Sequence, residues 1–109
     1  MRVELGPDEL HELFHRPVLD RNGEKLGKLE DFFRDDRTGR PLWLEVRAGS
    51  IRHRVDFVPV EGAECVGGQV VIPFDRTFVQ GAPSPERYRP MSEEDDARLA
   101  SYYGVTPGP

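Results

Sequence analysis

With 109 residues, 37% hydrophobic and 32% charged, the chain suits one domain with a single modest core. It holds no run of about 18 apolar residues that would span a bilayer as a helix. Its opening, MRVELGPDELHELF, is acidic and helical in pattern rather than basic and then continuously apolar, so a secretory signal is not expected and a cytoplasmic, soluble protein is. The net charge of −5 is uneven: from Arg16 to Arg54 ten Lys or Arg stand against seven Asp or Glu, a local +3 that leaves −8 elsewhere. An acidic chain is repelled by phosphate backbones unless its basic residues converge, so direct nucleic-acid binding is not expected.

Asp8 is placed to cap a short helix from Glu9 to about Phe14, with Leu10, Leu13 and Phe14 on one side and Pro17 ending it. Val18 and Leu19 start an extended segment, and Asp20-Arg21-Asn22-Gly23 is a turn whose glycine accepts positive φ. Lys25 to Asp35 is a long strand with Gly27 inside it, where a strand bends or bulges so that a sheet curls toward closure. A second turn, Asp36 to Arg40, leads through Pro41 into Leu42 to Arg47, whose alternation puts Leu44 and Val46 on one face and Trp43 on the other. Ala48-Gly49-Ser50 breaks that strand. Arg52 to Val60 then alternates, with Val55 and Phe57 on one side, Arg54, Asp56 and Val58 on the other, and Pro59 marking an edge or end. Gly67-Gly68 turns a last hairpin between Glu64 to Val66 and Gln69 to Phe74, and Asp75 to Gln80 makes about one helical turn. Cys65, the single cysteine, can form no internal disulfide and reads as a small residue packed near a strand in a reducing compartment.

Beyond a proline-rich connector, Ser92 with Asp95 forms a capping-box equivalent for a helix whose first turn is acidic. Leu99, Tyr102 and Tyr103 share one face, and Gly104 stops it. The expected organisation is a helical lead-in over 1–16, a β unit over 17–82, a connector over 83–91, a helix over 92–104 and a tail over 105–109. About six short strands at this spacing indicate a small barrel or sandwich.

Val18-Leu19-Asp20, Asn22 to Leu29, Asp35, Thr38 to Pro41, Trp43, Val58-Pro59-Val60 and Val71-Ile72-Pro73, in this order and spacing, resemble the PRC-barrel family. Ala82-Pro83 and the ending Leu99, Tyr102, Tyr103, Gly104 are similar to its actinobacterial stand-alone branch. The resemblance covers about residues 10 to 104. It implies a mainly β fold, a small, partly open β-barrel with a short N-terminal helix and a C-terminal helix, as in the cytoplasmic part of the photosynthetic reaction centre H subunit and the C-terminal domain of a ribosome maturation factor. It also implies a protein-interaction module with no shared catalytic residue. The family commonly has glycine where this chain has His15, and neither the membrane anchor of the first relative nor the RNA-handling domain of the second is expected for this chain.

Motifs with chemistry are few. His11-Glu12-Leu13-Phe14-His15 satisfies H-E-x-x-H, in which two histidines one helical turn apart ligate zinc and the glutamate activates water. Arg16-Pro17 ends the helix at once, so a zinc hydrolase is the weakest of three readings, and no bound metal, cofactor, catalytic residue or small-molecule substrate is expected. Glu30, Asp31, Asp35 and Asp36 read as a solvated face, and no phosphate loop or calcium loop is present. The better lead is Trp43, an aromatic turned away from the core that invites cover, from the terminal helix through Leu99, Tyr102 and Tyr103 or from a partner. Arg47, Arg52 and Arg54 would form a basic rim around that interface. The leading expectation is a non-enzymatic module that binds a protein, a second copy of itself foremost, as a homodimer; a ribosome-associated assembly factor binding a ribosomal protein is the alternative.

Overall fold

The structure, a computed structural model, describes residues 5–48, 54–84 and 91–105. Arg52, the Gly49-Ser50 break, most of the proline-rich connector and the tail from residue 106 lie outside the described residues. The elements run α1 (Pro7–Glu12), β1 (Pro17–Leu19), β2 (Lys25–Arg34), β3 (Pro41–Ala48), β4 (Arg54–Pro59), β5 (Glu64–Val66), β6 (Gln69–Val71), α2 (Arg76–Gln80) and α3 (Glu93–Tyr103).

Short turns between strands make neighbours antiparallel, and the sheet order is β4-β3-β2-β1-β6-β5 with one parallel pair, β1 with β6. β2 carries most of the curl. Its register against β1 jumps at Val18/Leu19, so Leu26 is an extra residue beside Gly27, and it slips twice more against β3. Each slip adds local twist, yet β4 and β5 remain edges and the sheet does not close into a barrel. Gly27 is required by close approach: a Cβ there would lie 2.2 Å from the Arg47 carbonyl oxygen on β3. Gly27→Ala must part β2 from β3 and should cost about 2–3 kcal/mol, as overpacking does, measured by urea unfolding; a loss under about 0.5 kcal/mol would show that the strands separate freely.

The edge at β4 is closed to a further strand. The Val60 N–H donates to the Leu42 carbonyl, so by the register Leu44↔Val58 and Val46↔Asp56 the alternate residues Val55, Phe57 and Pro59 turn their backbone polar groups outward. Pro59 has no N–H, and the Phe57 carbonyl accepts the Tyr103 hydroxyl at 2.6 Å. Both features blunt edge-to-edge pairing.

α3 begins and ends as its sequence dictates. Ser92 Oγ accepts the Asp95 N–H while the Asp95 carboxylate accepts the Ser92 N–H, and Gly104 closes the helix at φ 72°. α1 differs from expectation. Gly6 is its N-cap with Pro7 in the first turn, Asp8 makes no cap bond, and the helix is over at Glu12. Proline fits the first turn, where its missing N–H has no partner to lose. His15 then sits at φ 67°.

Strand alternation also departs from expectation. Trp43 and Leu44 are both buried, as are all four residues from Asp56 to Pro59. β3 and the edge strand β4 are covered on both sides over these stretches, with Leu99, Ala100 and Tyr103 of α3 joining the same core as Leu29, Leu44, Val46 and Val58.

Candidate functional site

The expected interface residues divide into two groups. Trp43 is 2% exposed, its Nε1–H donates to Asp96 Oδ1 at 2.7 Å, and its ring centre lies 6.1 Å from that of Tyr103. Leu99 and Tyr103 are buried too. Burial, with the Asp56 and Tyr102 charges adding to it, pushes the Tyr103 hydroxyl far above the ordinary tyrosine range, which keeps it the donor its bond to Phe57 needs. Of the two covers expected for Trp43, the terminal helix or a partner, it is helix α3 that lies over it within the chain, through the Asp96 hydrogen bond and the Tyr103 ring, so Trp43, Leu99 and Tyr103 are not offered to a partner. Tyr102 is half-buried, its hydroxyl donating to the Phe78 carbonyl at 2.6 Å and its ring stacked on Phe78 at 4.5 Å.

Two of the three arginines expected as a basic rim lie among the described residues. Arg54 is engaged in holding α2: its Nε donates to Asp56 Oδ1 at 3.2 Å and its Nη2 to the Gln80 carbonyl at 2.7 Å. Arg47 lies 3.8 Å from Glu30, and Arg52 falls outside the described residues. Asp56 is 4% exposed, and its Oδ2 has no hydrogen-bond partner among the described residues. Burial raises its pKa, with the Arg54 hydrogen bond and charge pulling back less. A carboxyl raised in the folded state stabilises it fully below the unfolded value of about 4, and that contribution is lost as pH rises through the folded value. At neutral pH the charge is a burden, so Asp56→Asn should gain about 1 kcal/mol at pH 7, with the gain vanishing near pH 3.5. Paired denaturation curves check this, and a loss above 1 kcal/mol at pH 7 would mean that Oδ2 is partnered.

H-E-x-x-H does not form its helical face, since α1 ends at Glu12 and His15 takes a left-handed backbone. His11 Nε2 lies 3.2 Å from Arg34 Nη2. A guanidinium only donates, so that nitrogen's lone pair is engaged. Among the described residues no three His, Cys, Asp or Glu side chains gather as a metal site. Asp35 is buried rather than part of a solvated face; its Oδ1 accepts the Arg37 N–H at 2.8 Å and shapes the β2–β3 turn.

A groove of about 1010 Å³ opens at the end of the sheet where the β2–β3 turn, the start of α1, the β4–β5 turn and α3 meet. Among the described residues Leu42, Trp43, Pro59 and Val60 line it, together with the acidic residues Glu9, Asp35, Glu61 and Asp96 and the basic residue Arg40. None of its polar lining was expected as a site. Its parts come from four separated segments, and no local motif in the sequence marks their convergence.

The family model for the PRC-barrel domain matches residues 7–82. The chain belongs to the PRC-barrel family. Among solved structures it is similar to a protein described as a 16S ribosomal RNA processing protein, RimM, from Pseudomonas aeruginosa, with a TM-score of 0.47 at 21% identity over 62% of this chain and 44% of that one. The chain thus spans less than half the length of that protein. No curated protein matches it. In this PRC barrel the buried ionisable side chains Asp20, Asp35 and Tyr103 are hydrogen-bonded to backbone groups, work that orders turns and docks helices. The described residues include no helix long and apolar enough to cross a membrane.

Proposed function

We propose that this PRC barrel is a non-catalytic, cytoplasmic module whose task is to bind another protein. The observation that carries this reading is the groove at the sheet end, an apolar floor inside a carboxylate rim held by four different segments of a rigid scaffold. A second copy of the chain is the less favoured partner. The β4 edge is blunted by Pro59 and Tyr103, and Val66 and Phe78 are the large hydrophobics exposed among the described residues, whereas a stable homodimer buries a broad apolar patch. Light scattering at tens of micromolar is expected to give the monomer mass of 12.4 kDa; twice that mass would restore self-association. Affinity capture from native extract is expected to retain a stoichiometric protein after nuclease treatment. Loss of every partner on nuclease treatment would sink the reading, while co-sedimentation with small ribosomal subunits at moderate salt would make the partner a ribosomal protein.

A further inference from the structure

The groove has a chemistry that narrows what binds there. Its floor is hydrocarbon with little to donate: Pro41 and Pro59 lack an N–H, and Leu42 and Val60 spend a backbone bond on each other. Added backbone pairing is therefore not what it offers, and recognition falls to side chains. Its charge is one-sided. Glu9 and Glu61, from α1 and the β4–β5 turn, are exposed. Asp96, half-buried, presents its carboxylate where Trp43 Nε1–H fixes it. Asp35 adds a fourth acidic residue, and among the described lining residues Arg40 is the basic one. Carboxylates gathered over low-dielectric walls focus a negative potential into the groove between them. Three of the four lie outside Arg16 to Arg54, in the part of the sequence that carries the −8, so the lopsided charge of the chain has a location.

We propose that this groove holds an extended, cationic segment of a different protein, with lysine or arginine residues on either side of an aliphatic one; the proposal deepens the protein-binding reading above and rests on it. Lys and Arg suit such a site, since their methylene stems lie along an apolar floor while the charged heads reach a polar rim. An aliphatic side chain between them enters the space over Leu42 and Val60. The volume, at the upper end of what small-molecule sites occupy, suits a run of residues. A phosphate backbone is repelled by the same rim. Among the described residues Arg21, Arg34, Arg47, Arg54 and Arg98 are engaged with Asp75, His11, Glu30, Asp56 and Glu94 of their own chain, and displacement of bound peptide by a second copy tests whether the chain's other basic residues supply the segment.

The test uses the full chain and its single tryptophan, which lines the groove and reports on it by fluorescence. The probes are capped pentapeptides: Arg-Val-Lys-Val-Arg, the same peptide with alanine for valine, and Glu-Val-Glu-Val-Glu. Expected are a saturable Trp43 signal with the first, at least tenfold weaker binding of the second, and none of the third. Affinity should fall at least tenfold in the double variant Glu9→Lys, Glu61→Lys, whose two positions are exposed, and again at 0.5 M salt. Equal binding of the reversed-charge peptide, an undiminished double variant, or amide shifts confined to the Phe78 and Tyr102 surface would overturn the proposal. So would Arg2→Glu strengthening peptide binding, the sign that the chain's own first residues compete for the groove, or peptide displacement by a second copy of the chain. If the double variant still captures the native protein partner, the groove assignment fails while the binding-module reading stands; if the wild-type chain captures no protein at all, the module reading fails first.

Discussion

Asp20→Ala should lower the free energy of unfolding by about 4 kcal/mol at pH 7. Asp20 is 1% exposed, and its carboxylate gathers three backbone donors. Oδ1 accepts the N–H groups of Asn22 and Glu24, each at 2.8 Å, and Oδ2 accepts that of Arg76 at 3.0 Å. The last bond reaches across 56 positions to the first residue of α2, whose own N-cap, Asp75, makes no side-chain cap bond. Asp75 instead takes the Asn22 side-chain amide at 2.7 Å and Arg21 Nε at 3.1 Å. Turn and helix thus exchange caps. Removing the carboxylate orphans three donors at about 1–3 kcal/mol each where buried, discounted because the turn itself can open to water. Asp20→Asn keeps one acceptor but turns an amide toward the Arg76 N–H, for a loss of about 2 kcal/mol.

The pH dependence carries a definite sign. Burial alone would push the Asp20 carboxyl up, but the hydrogen bonds from Glu24, Arg76 and Asn22 together outweigh it and hold the group below the ordinary aspartate range. A depressed folded value gives stability that is full above the unfolded value of about 4 and lost as pH falls through the folded value. Urea titrations at pH 7 and at pH 2.5 should therefore show wild type and Asp20→Ala converging in acid. A variant within 1 kcal/mol of wild type at neutrality, or a gap that is the same at both pH values, would refute this role.

Trp43→Ala should cost about 4 kcal/mol, within the range of buried aromatic truncations, and Trp43→Phe about 2 kcal/mol for the lost Nε1–H bond and ring volume. With typical domains stable by about 5–15 kcal/mol, the alanine variant approaches the unfolding threshold. Loss of a partner by that variant would then report a loosened α3 rather than a missing contact. Thermal melts settle which: a variant that melts as wild type yet loses its partner would return Trp43 to the binding surface. The Glu9 and Glu61 substitutions avoid the ambiguity, since they alter charge on exposed side chains.

Punctuation was the most legible part of this sequence. The Ser92–Asp95 capping box, the Gly104 stop, the Asp20 to Gly23 turn and the Gly67-Gly68 hairpin turn all stand where local chemistry puts them. Each depends on residues within four positions of one another. Six strands and the PRC-barrel kinship followed from the same local order. Facing was less legible. Alternation across β3 set Trp43 opposite Leu44 and left its cover open between the terminal helix and a partner; α3 supplies it, so Trp43 is part of the core. Asp8 yielded its capping place to Gly6 with Pro7 behind it, a choice between two adjacent helix starts that local propensity leaves close in energy.

What the chain settles locally is where strands, turns and helices begin and end, because hydrogen bonds and backbone preferences within a few residues decide those. Only the tertiary structure decides that Asp20 caps a helix 56 residues on, that β4 presents a blunted edge, and that Glu9, Asp35, Glu61 and Asp96 meet around one groove. Those outcomes depend on which distant surfaces come together when the curled sheet, still unclosed, is covered by α3, and no window of sequence contains both partners of such a contact.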